Sequence, residues 1–519
     1  MARSKQSARR PKAKRQDLDA SADRASKKQK QQPSDEAVAK GSCQSENVLS
    51  RLLGGMPMSE FMAEYFEKKP LLVRRKANDD LFPKGLFSRE TLLDVVGTHE
   101  LEIGKDMTIC KYANGERDNY VPEDGNPRAK KKNVSSLLNN RYSCQFYQPQ
   151  RYVDGLYHLN AAFEEYFGCL AGASAYLTPP GAQALAPHHD DVEVFILQTE
   201  GRKKWKLYHP MVELPGEHSS DLSEESIGNV WMELTLEEGD VLYFPRGVIH
   251  QAATDDVQFS THVTISVYQH QSWANFLEVV LPRIVRRAFD SDVTFRKGLP
   301  VNYLSFMGTQ FPGSSSGAVS FVEQCKSLVT KLGTWVDVAD VQQACDEAAL
   351  DFFANRLPPD HGPAVDTADF LLSPKAKIRF RSRNSIRLMI GEDDSKETIV
   401  SVLHSVRNCR IHHMGMCSCV EDDEDEGEDD DGGVASDASD GGSDEEDDES
   451  DDGDATMGMP PQPRTLVFPG SLLQPLMQLY TAFPKDIAVA DIVKGSSDET
   501  EARGMLLRLW SEGLLTASA

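Results

Sequence analysis

No apolar run in this 519-residue sequence approaches the roughly 20 residues that a helix needs to cross a bilayer. Cysteine is sparse: nine are scattered along the chain with no Cys-x-x-Cys pair, and a chain this long has no need of disulfide staples. The N-terminus is basic, with no hydrophobic segment behind it to make a secretory signal. These absences lead us to expect a protein of a reducing intracellular compartment, with no membrane association. Basic charge is also short, the formal net charge being −25. However, 21 of the 81 acidic residues lie between Glu421 and Ala455, a stretch without Lys or Arg, and the rest of the chain sums to −4. The protein is nearly neutral and carries an acidic tract, so direct nucleic-acid binding is not expected.

What is present is enough for two or three folded domains: 39% hydrophobic and 8% aromatic residues. Residues 1–45 hold 12 Lys/Arg against 5 Asp/Glu and no aromatic, too little apolar surface to offset chain entropy, so this arm is expected to be disordered. Its clusters from Arg9 to Arg15 and from Lys27 to Lys30 suit import to the nucleus or nucleolus, the plain alternative being a solvated polybasic arm. Folded sequence is expected from Glu46, beginning with a helix through Ser59 to Phe66. From about 100 to 270 the pattern is of short strands with Gly/Pro turns. Val192–Gln198, a turn at Glu200-Gly201, and Lys203–Tyr208 read as a hairpin; Val241–Phe244 and Thr261–Tyr268 read as further strands. Many strands without intervening helices argue for a barrel or jelly roll over 46–270. Helical periodicity follows over 271–375. A mixed region over 376–519 is interrupted by an acidic insertion at 421–462, which must sit in a solvent-exposed loop. Ser436, Ser439, Ser443 and Ser450 lie among its acidic residues, where an acidophilic kinase would act. The tract is either a device for attracting basic partners or a solubilising insertion.

One constellation carries chemistry. Two imidazoles and a carboxylate on one face of an octahedral metal leave three positions open, the arrangement of non-haem Fe(II) oxygenases. The pair should be His-x-Asp on a strand, where residues two apart point the same way. Pro187-His188-His189-Asp190-Asp191 offers it in two frames, His188 with Asp190 or His189 with Asp191. Sixty residues beyond Asp190, a Gly239-Asp240 turn and an aromatic strand lead to His250, the third ligand. Lys203 is either an inward cation for a 2-oxo acid's distal carboxylate, sharing a strand face with Trp205 and Leu207, or part of a solvated turn with Arg202 and Lys204.

At these residues the chain resembles the ribosomal oxygenases, JmjC proteins of the nucleus and nucleolus described as histidyl hydroxylases and, in some accounts, histone lysine demethylases. The resemblance runs from about Met58 to Ala519. It is carried by Tyr65–Arg75, Gln145–Arg151, Tyr176-Leu177-Thr178-Pro179-Pro180 and Leu242–Ala252. It implies a double-stranded β-helix, the JmjC jelly-roll barrel, followed by a helical dimerisation region and a C-terminal winged-helix domain, in a mixed α and β chain. It implies Fe(II) on His188, Asp190 and His250, with 2-oxoglutarate and dioxygen as cosubstrates and Lys203 as the cosubstrate's anchor. Substrate-side positions fall on Gln145, Gln148, Tyr176 and Ser266, and Tyr176 and Ser174 stand beside the cosubstrate. The family tends to have Asn where this chain has Ser174, which lacks an amide's reach. The implied partners are a ribosomal protein substrate or histone H3, and a second copy of the chain in a homodimer. Hydroxylation of a histidine is the primary expectation, demethylation the alternative, and a non-catalytic scaffold a third reading that the intact ligand set speaks against. Cys409, His412, His413, Cys417 and Cys419 could in principle bind zinc, but lack knuckle spacing.

Overall fold

Alternation along a few strands organises everything between Leu71 and Val267. The computed structural model describes residues 43–75, 85–113, 116–359, 376–415 and 462–518. Most of the basic arm and nearly all of the acidic tract, with Cys417 and Cys419, therefore lie outside the described residues. Strands β1 (Leu71–Val73), β2 (Met107–Ala113), β3 (Glu116–Asn119), β4 (Ser143–Tyr147), β5 (Gly172–Thr178), β6 (Glu193–Tyr208), β7 (Val230–Glu237), β8 (Val241–Phe244), β9 (Ile249–Ala253) and β10 (Ser260–Val267) form one ten-stranded antiparallel system. Its main path runs β1-β8-β6-β10-β5-β4-β2-β3, while β7 and β9 pair with the far half of β6. This is the jelly-roll expected from the strand pattern.

The expected hairpin at Glu200-Gly201 is not there. Glu193 to Tyr208 is a single 16-residue strand, and it belongs to both sheets. Its first half pairs with β8 and β10, its second with β7 and β9. Gly201 sits at the bend with φ +65, and a Cβ there would stand 1.8 Å from the Phe259 carbonyl oxygen. A hairpin turn and a bent strand both demand glycine at positive φ. The close approach of Phe259 decided between them, and no local pattern reports it.

Before the bend, odd and even residues of β6 face different cores, and past the register shift opposite Thr261 and His262 the parity inverts. Phe195 and Leu197 pack against the helical layer on the outside, with Phe61, Phe163 and Tyr243 in edge-on or tilted contact around Phe195; such ring pairs contribute about 0.5–1.5 kcal/mol each beyond area burial. Val194, Ile196, Trp205 and Leu207 face the interior of the barrel with Leu236, Leu242 and Phe244. The helical layer includes the helices Cys43–Leu52, Met58–Glu64 and Asp154–Phe167. The first of these starts three residues before the expected beginning of folded sequence.

After β10, Ser272 and Asn275 form a capping box on the helix Trp273–Ser291. That helix packs on Val338–Asn355 through Val280, Ile284 and Ala344. The last region has its own core, in which Phe380, Val400, Val402, Leu476, Ile492 and Leu506 are buried. Two three-stranded sheets flank the helices Leu473–Ala482, Val489–Lys494 and Glu499–Ser511.

Candidate metal and cosubstrate site

The backbone brings the two histidines together before any side chain does. His188 and His250 exchange both main-chain hydrogen bonds, at 3.2 and 2.9 Å, as an isolated bridge. Only His250 lies on a strand, β9. The expectation that His188 and Asp190 share a regular strand is corrected: Pro187 has no N–H to extend a ladder, and the segment crosses the barrel mouth irregularly. Gly247 N–H donates to the Asp190 carbonyl at 3.0 Å, which holds that segment in place. Behind Gly247, Arg246 pairs with Glu193 and with Glu67, and Glu193 also accepts from the Tyr243 hydroxyl. Glu193 is fully buried, and desolvation pushes its carboxyl up to about 7.

The ligand atoms of His188, Asp190 and His250 all lie within 4.8 Å of one another. His188 Nε2 is 3.8 Å and His250 Nε2 3.7 Å from the two Asp190 oxygens. Nδ1 of His188 meets the Ala186 carbonyl at 2.8 Å and Nδ1 of His250 the Val248 carbonyl at 3.1 Å. A carbonyl only accepts, so each Nδ1 carries the proton and each Nε2 offers its lone pair to the common point. Burial pushes the His250 imidazole down to about 4, and the neighbouring His188 adds to that; a neutral ring is what a metal needs. This donor set fits one divalent ion of the 2-His-1-carboxylate type.

The frame left open between the two His-x-Asp pairs is thereby resolved. His189 turns out of the cluster, its N–H bound to Ser219 Oγ, and Asp191 faces Gln269. Among the described residues no other group of His, Cys, Asp or Glu could hold a metal. Of the suspected zinc cluster, Cys409 is exposed and His413 is buried against Glu164 and Gln150.

Lys203 is an inward cation, not part of a solvated turn. It is 3% exposed, and its only side-chain hydrogen bond among the described residues goes to Thr178 Oγ1 at 3.1 Å. Among the described residues no carboxylate pairs with it, and burial pushes its ammonium down to about 7. A buried, unpaired ammonium costs several kcal/mol, a cost that an anion beside it would offset. Lys203 lines the same cavity as the triad, with Tyr176, Ile196, Trp205, His262 and Thr264. The indole Nε1 of Trp205 and Nδ1 of His262 are buried there without a hydrogen-bond partner among the described residues.

The register gives this cavity an axis. On the inner face of β5 stand Thr178, Tyr176, Ser174 and Gly172, opposite Ser260, His262, Thr264 and Ser266 on β10. Tyr176 stacks on His262 at 4.8 Å and accepts from Gln145 Nε2 at 3.0 Å. Ser174 lies one step nearer the mouth than Tyr176, between Tyr147 and Thr264, and is not among the residues lining the cavity. Gln148 and Ser266 meet at the far end, where a Cβ on Gly172 would stand 2.9 Å from Ser266 Oγ and 3.8 Å from Gln148 Nε2. So Lys203 stands at the Thr178 end of this face and Gln148 at the Gly172 end, beyond the residues that line the cavity. His262 and Thr264 were missed in the sequence, although Ser266 on the same strand, read with period two, points to both.

Rolled sheets, the His188–Asp190–His250 set and a deep cation define a JmjC domain, and residues 145–276 match the family of that description. The chain is 34% identical over 391 residues to human ribosomal oxygenase 1, covering 71% of this chain and 59% of that protein. It is 35% identical over 372 residues to the bifunctional lysine-specific demethylase and histidyl-hydroxylase NO66 of Culex quinquefasciatus, covering 69% and 56%. The chain thus spans less than two thirds of these curated relatives. Among solved structures, YcfD, a ribosomal oxygenase from Escherichia coli in complex with cobalt and 2-oxoglutarate, is similar at a TM-score of 0.41 and 12% identity, covering 89% of this chain and 99% of that one.

Proposed function

We propose that this protein is an Fe(II)- and 2-oxoglutarate-dependent oxygenase that hydroxylates a histidine of a large-subunit ribosomal protein. The observation that carries the reading is one cavity lined by both a 2-His-1-carboxylate set and a buried, unpaired lysine. His188, Asp190 and His250 would hold the iron, which when bound supplies the centre for oxidation of the 2-oxo acid by dioxygen. Lys203 with Thr178 takes the distal carboxylate at the depth of the barrel, and Trp205 and Ile196 keep water from that ion pair.

At the mouth, Gln148 Oε1 is occupied by Ala173 N–H and Gln150 Nε2, which leaves the Nε2 donors of Gln148 to a guest. An imidazole and its flanking amides can accept from and donate to such groups. A methylammonium calls instead for an aromatic cage, and burying it against amide donors would cost roughly 1–3 kcal/mol for each left unpaired. Gln148→Ala is therefore expected to raise the KM for a histidine-centred ribosomal peptide about tenfold or more, the worth of one such group, while uncoupled 2-oxoglutarate turnover stays near wild type. The reading as a whole is tested by mass spectrometry of ribosomal proteins and histones incubated with the enzyme. Oxygen gained on a histidine supports it; methyl groups lost from histone lysines, with no histidine oxidised, replace it with demethylation of a histone.

We read the helix Trp273–Ser291 as the homodimer contact. Trp273, Leu277, Leu281, Val285 and Phe289 recur every fourth residue and are all exposed, Trp273 at 80%, an apolar stripe with no partner in the described chain. Replacing Leu281 and Val285 together by Glu should turn a dimer into a monomer by sedimentation, with the melting temperature of the barrel preserved. A wild-type monomer at micromolar concentration would refute the assignment.

A further inference from the structure

Behind Gln148 lies a chain of hydrogen bonds that the iron site does not use and that ends in the C-terminal region. Gln148 Oε1 accepts from the backbone N–H of Ala173 at 3.1 Å and from Gln150 Nε2 at 2.6 Å. The same Gln150 Nε2 lies 2.9 Å from His413 Nδ1, and His413 Nε2 lies 2.7 Å from Glu164 Oε1. Glu164 Oε2 accepts from Leu357 N–H at 2.9 Å. His413 is more than 230 residues further along the chain than any other side chain in this relay. Gln150, Glu164 and His413 are all buried, none more than 1% exposed. Arg410 docks the same segment, from its Nε to the Gln150 carbonyl at 2.8 Å and from its Nη1 to Asp154 at 2.6 Å.

The polarity of the relay is fixed from one end. A backbone N–H can only donate, so the atom of Gln148 beside Ala173 is its oxygen. The atom of Gln150 that meets this oxygen must then be its NH2, and the second hydrogen of that NH2 points to His413. Nδ1 of His413 is consequently an acceptor and the imidazole proton sits on Nε2, donated to Glu164. Each assignment forces the next, and none is free to invert while Ala173 keeps its place in β5. The far end of the amide is then determined too: Gln148 Nε2 faces the mouth, 3.8 Å from where a Gly172 Cβ would be. Gln148 itself is held at φ +50, a conformation that a non-glycine residue keeps only where its surroundings insist. Met414, next to His413, brings its Cε to within 4.0 Å of the same Gly172 position.

We propose that His413 is a positioning residue of the substrate entrance: by holding Gln150 in place it lets the C-terminal region keep the Gln148 side chain in the orientation that the Ala173 N–H selects, and so supports the barrel's preference for a guest that accepts hydrogen bonds there. This rests on the reading of Gln148 as a substrate contact. Two replacements separate positioning from bulk stability. Asparagine places its side-chain oxygen near the position of imidazole Nδ1 and can still accept from Gln150; glutamine places its amide nitrogen near Nε2 and can still donate to Glu164, but offers Gln150 no fixed acceptor.

The experiment compares His413→Ala, His413→Asn and His413→Gln in the full chain. It uses a panel of histidine-centred peptides from large-subunit ribosomal proteins and measures uncoupled 2-oxoglutarate turnover in parallel. His413→Ala and His413→Gln should raise the peptide KM about tenfold, one hydrogen bond's worth, with the KM for 2-oxoglutarate unchanged. His413→Asn should restore the peptide KM to near wild type. An unchanged peptide KM in His413→Ala, or rescue by glutamine in place of asparagine, overturns the proposal. If alanine does not fold, the asparagine–glutamine pair decides alone. If wild type oxidises no peptide, the functional reading fails, and the side-chain amide resonances of Gln148 still decide this one: they should shift in His413→Gln and hold in His413→Asn, and the reverse refutes it.

Discussion

His188→Ala should abolish measurable 2-oxoglutarate turnover, a loss beyond the 10–100-fold that removing a mere outer-shell partner of a metal ligand typically costs, whereas His189→Ala should retain most of it. The two residues are adjacent, of one type and equally plausible by spacing, which makes the contrast sharp. His188 points its Nε2 at the common point of the ligand set, while His189 is buried away from it beside Ser219. Binding of Co(II) or Mn(II) by calorimetry gives a readout independent of turnover: one site in wild type and in His189→Ala, a much weakened one in His188→Ala. Loss of metal in His189→Ala with retention in His188→Ala would transfer the site to the other frame. Because Nδ1 of His188 is fixed by Ala186 O, His188→Gln is not expected to rescue, its amide nitrogen having no lone pair to offer.

Lys203→Ala is expected to raise the KM for 2-oxoglutarate by about 100- to 1,000-fold, the few kcal/mol that a buried carboxylate forfeits with its charged partner. The same lysine predicts a pH dependence of opposite sign for stability and for binding. Its ammonium is pushed down to about 7 by burial, against an ordinary value of 10.5. Between those two values the unfolded chain binds a proton that the folded chain does not, so stability from this group rises with pH across that window and is lowest below about 7. Binding runs the other way. A carboxylate needs the ammonium, so above pH 7 the site must take up a proton to bind, and the KM for 2-oxoglutarate should climb between pH 7 and 9. Lys203→Met should flatten that climb and stabilise the protein without cosubstrate, since it replaces an uncompensated buried charge by a chain of similar length. A Lys203→Ala enzyme with wild-type 2-oxoglutarate kinetics would show that another group anchors the cosubstrate.

The candidate ligand residues were legible because metal chemistry restricts residue type. Only His, Asp, Glu and Cys ligate such an ion, and His188, Asp190 and His250 stood out by type, whereas period two put Lys203 on one strand face with Trp205 and Leu207 and left open whether that face turns inward, which its burial decided. Reading residue types needed no knowledge of what lies across the barrel. Other features depend on that knowledge. Glu200-Gly201 carries the signature of a turn whether the chain reverses or merely bends, and the carbonyl of Phe259, nearly 60 residues later, settled it. His188 and His189 were equivalent until the backbone bridge to His250 picked one.

The strand pattern, the ligand types and the acidic tract are readable from the chain alone, because each follows from side-chain chemistry or from a period that neighbouring residues share. Long-range contacts were needed to show that β6 is one strand, that His188 and not His189 points into the ligand cluster, that Lys203 is buried against Thr178, and that His413 reaches back to Gln150. The reason is common to all four. Each is a contact between residues separated by tens to hundreds of positions, and the partner that fixes it lies beyond the reach of any local pattern.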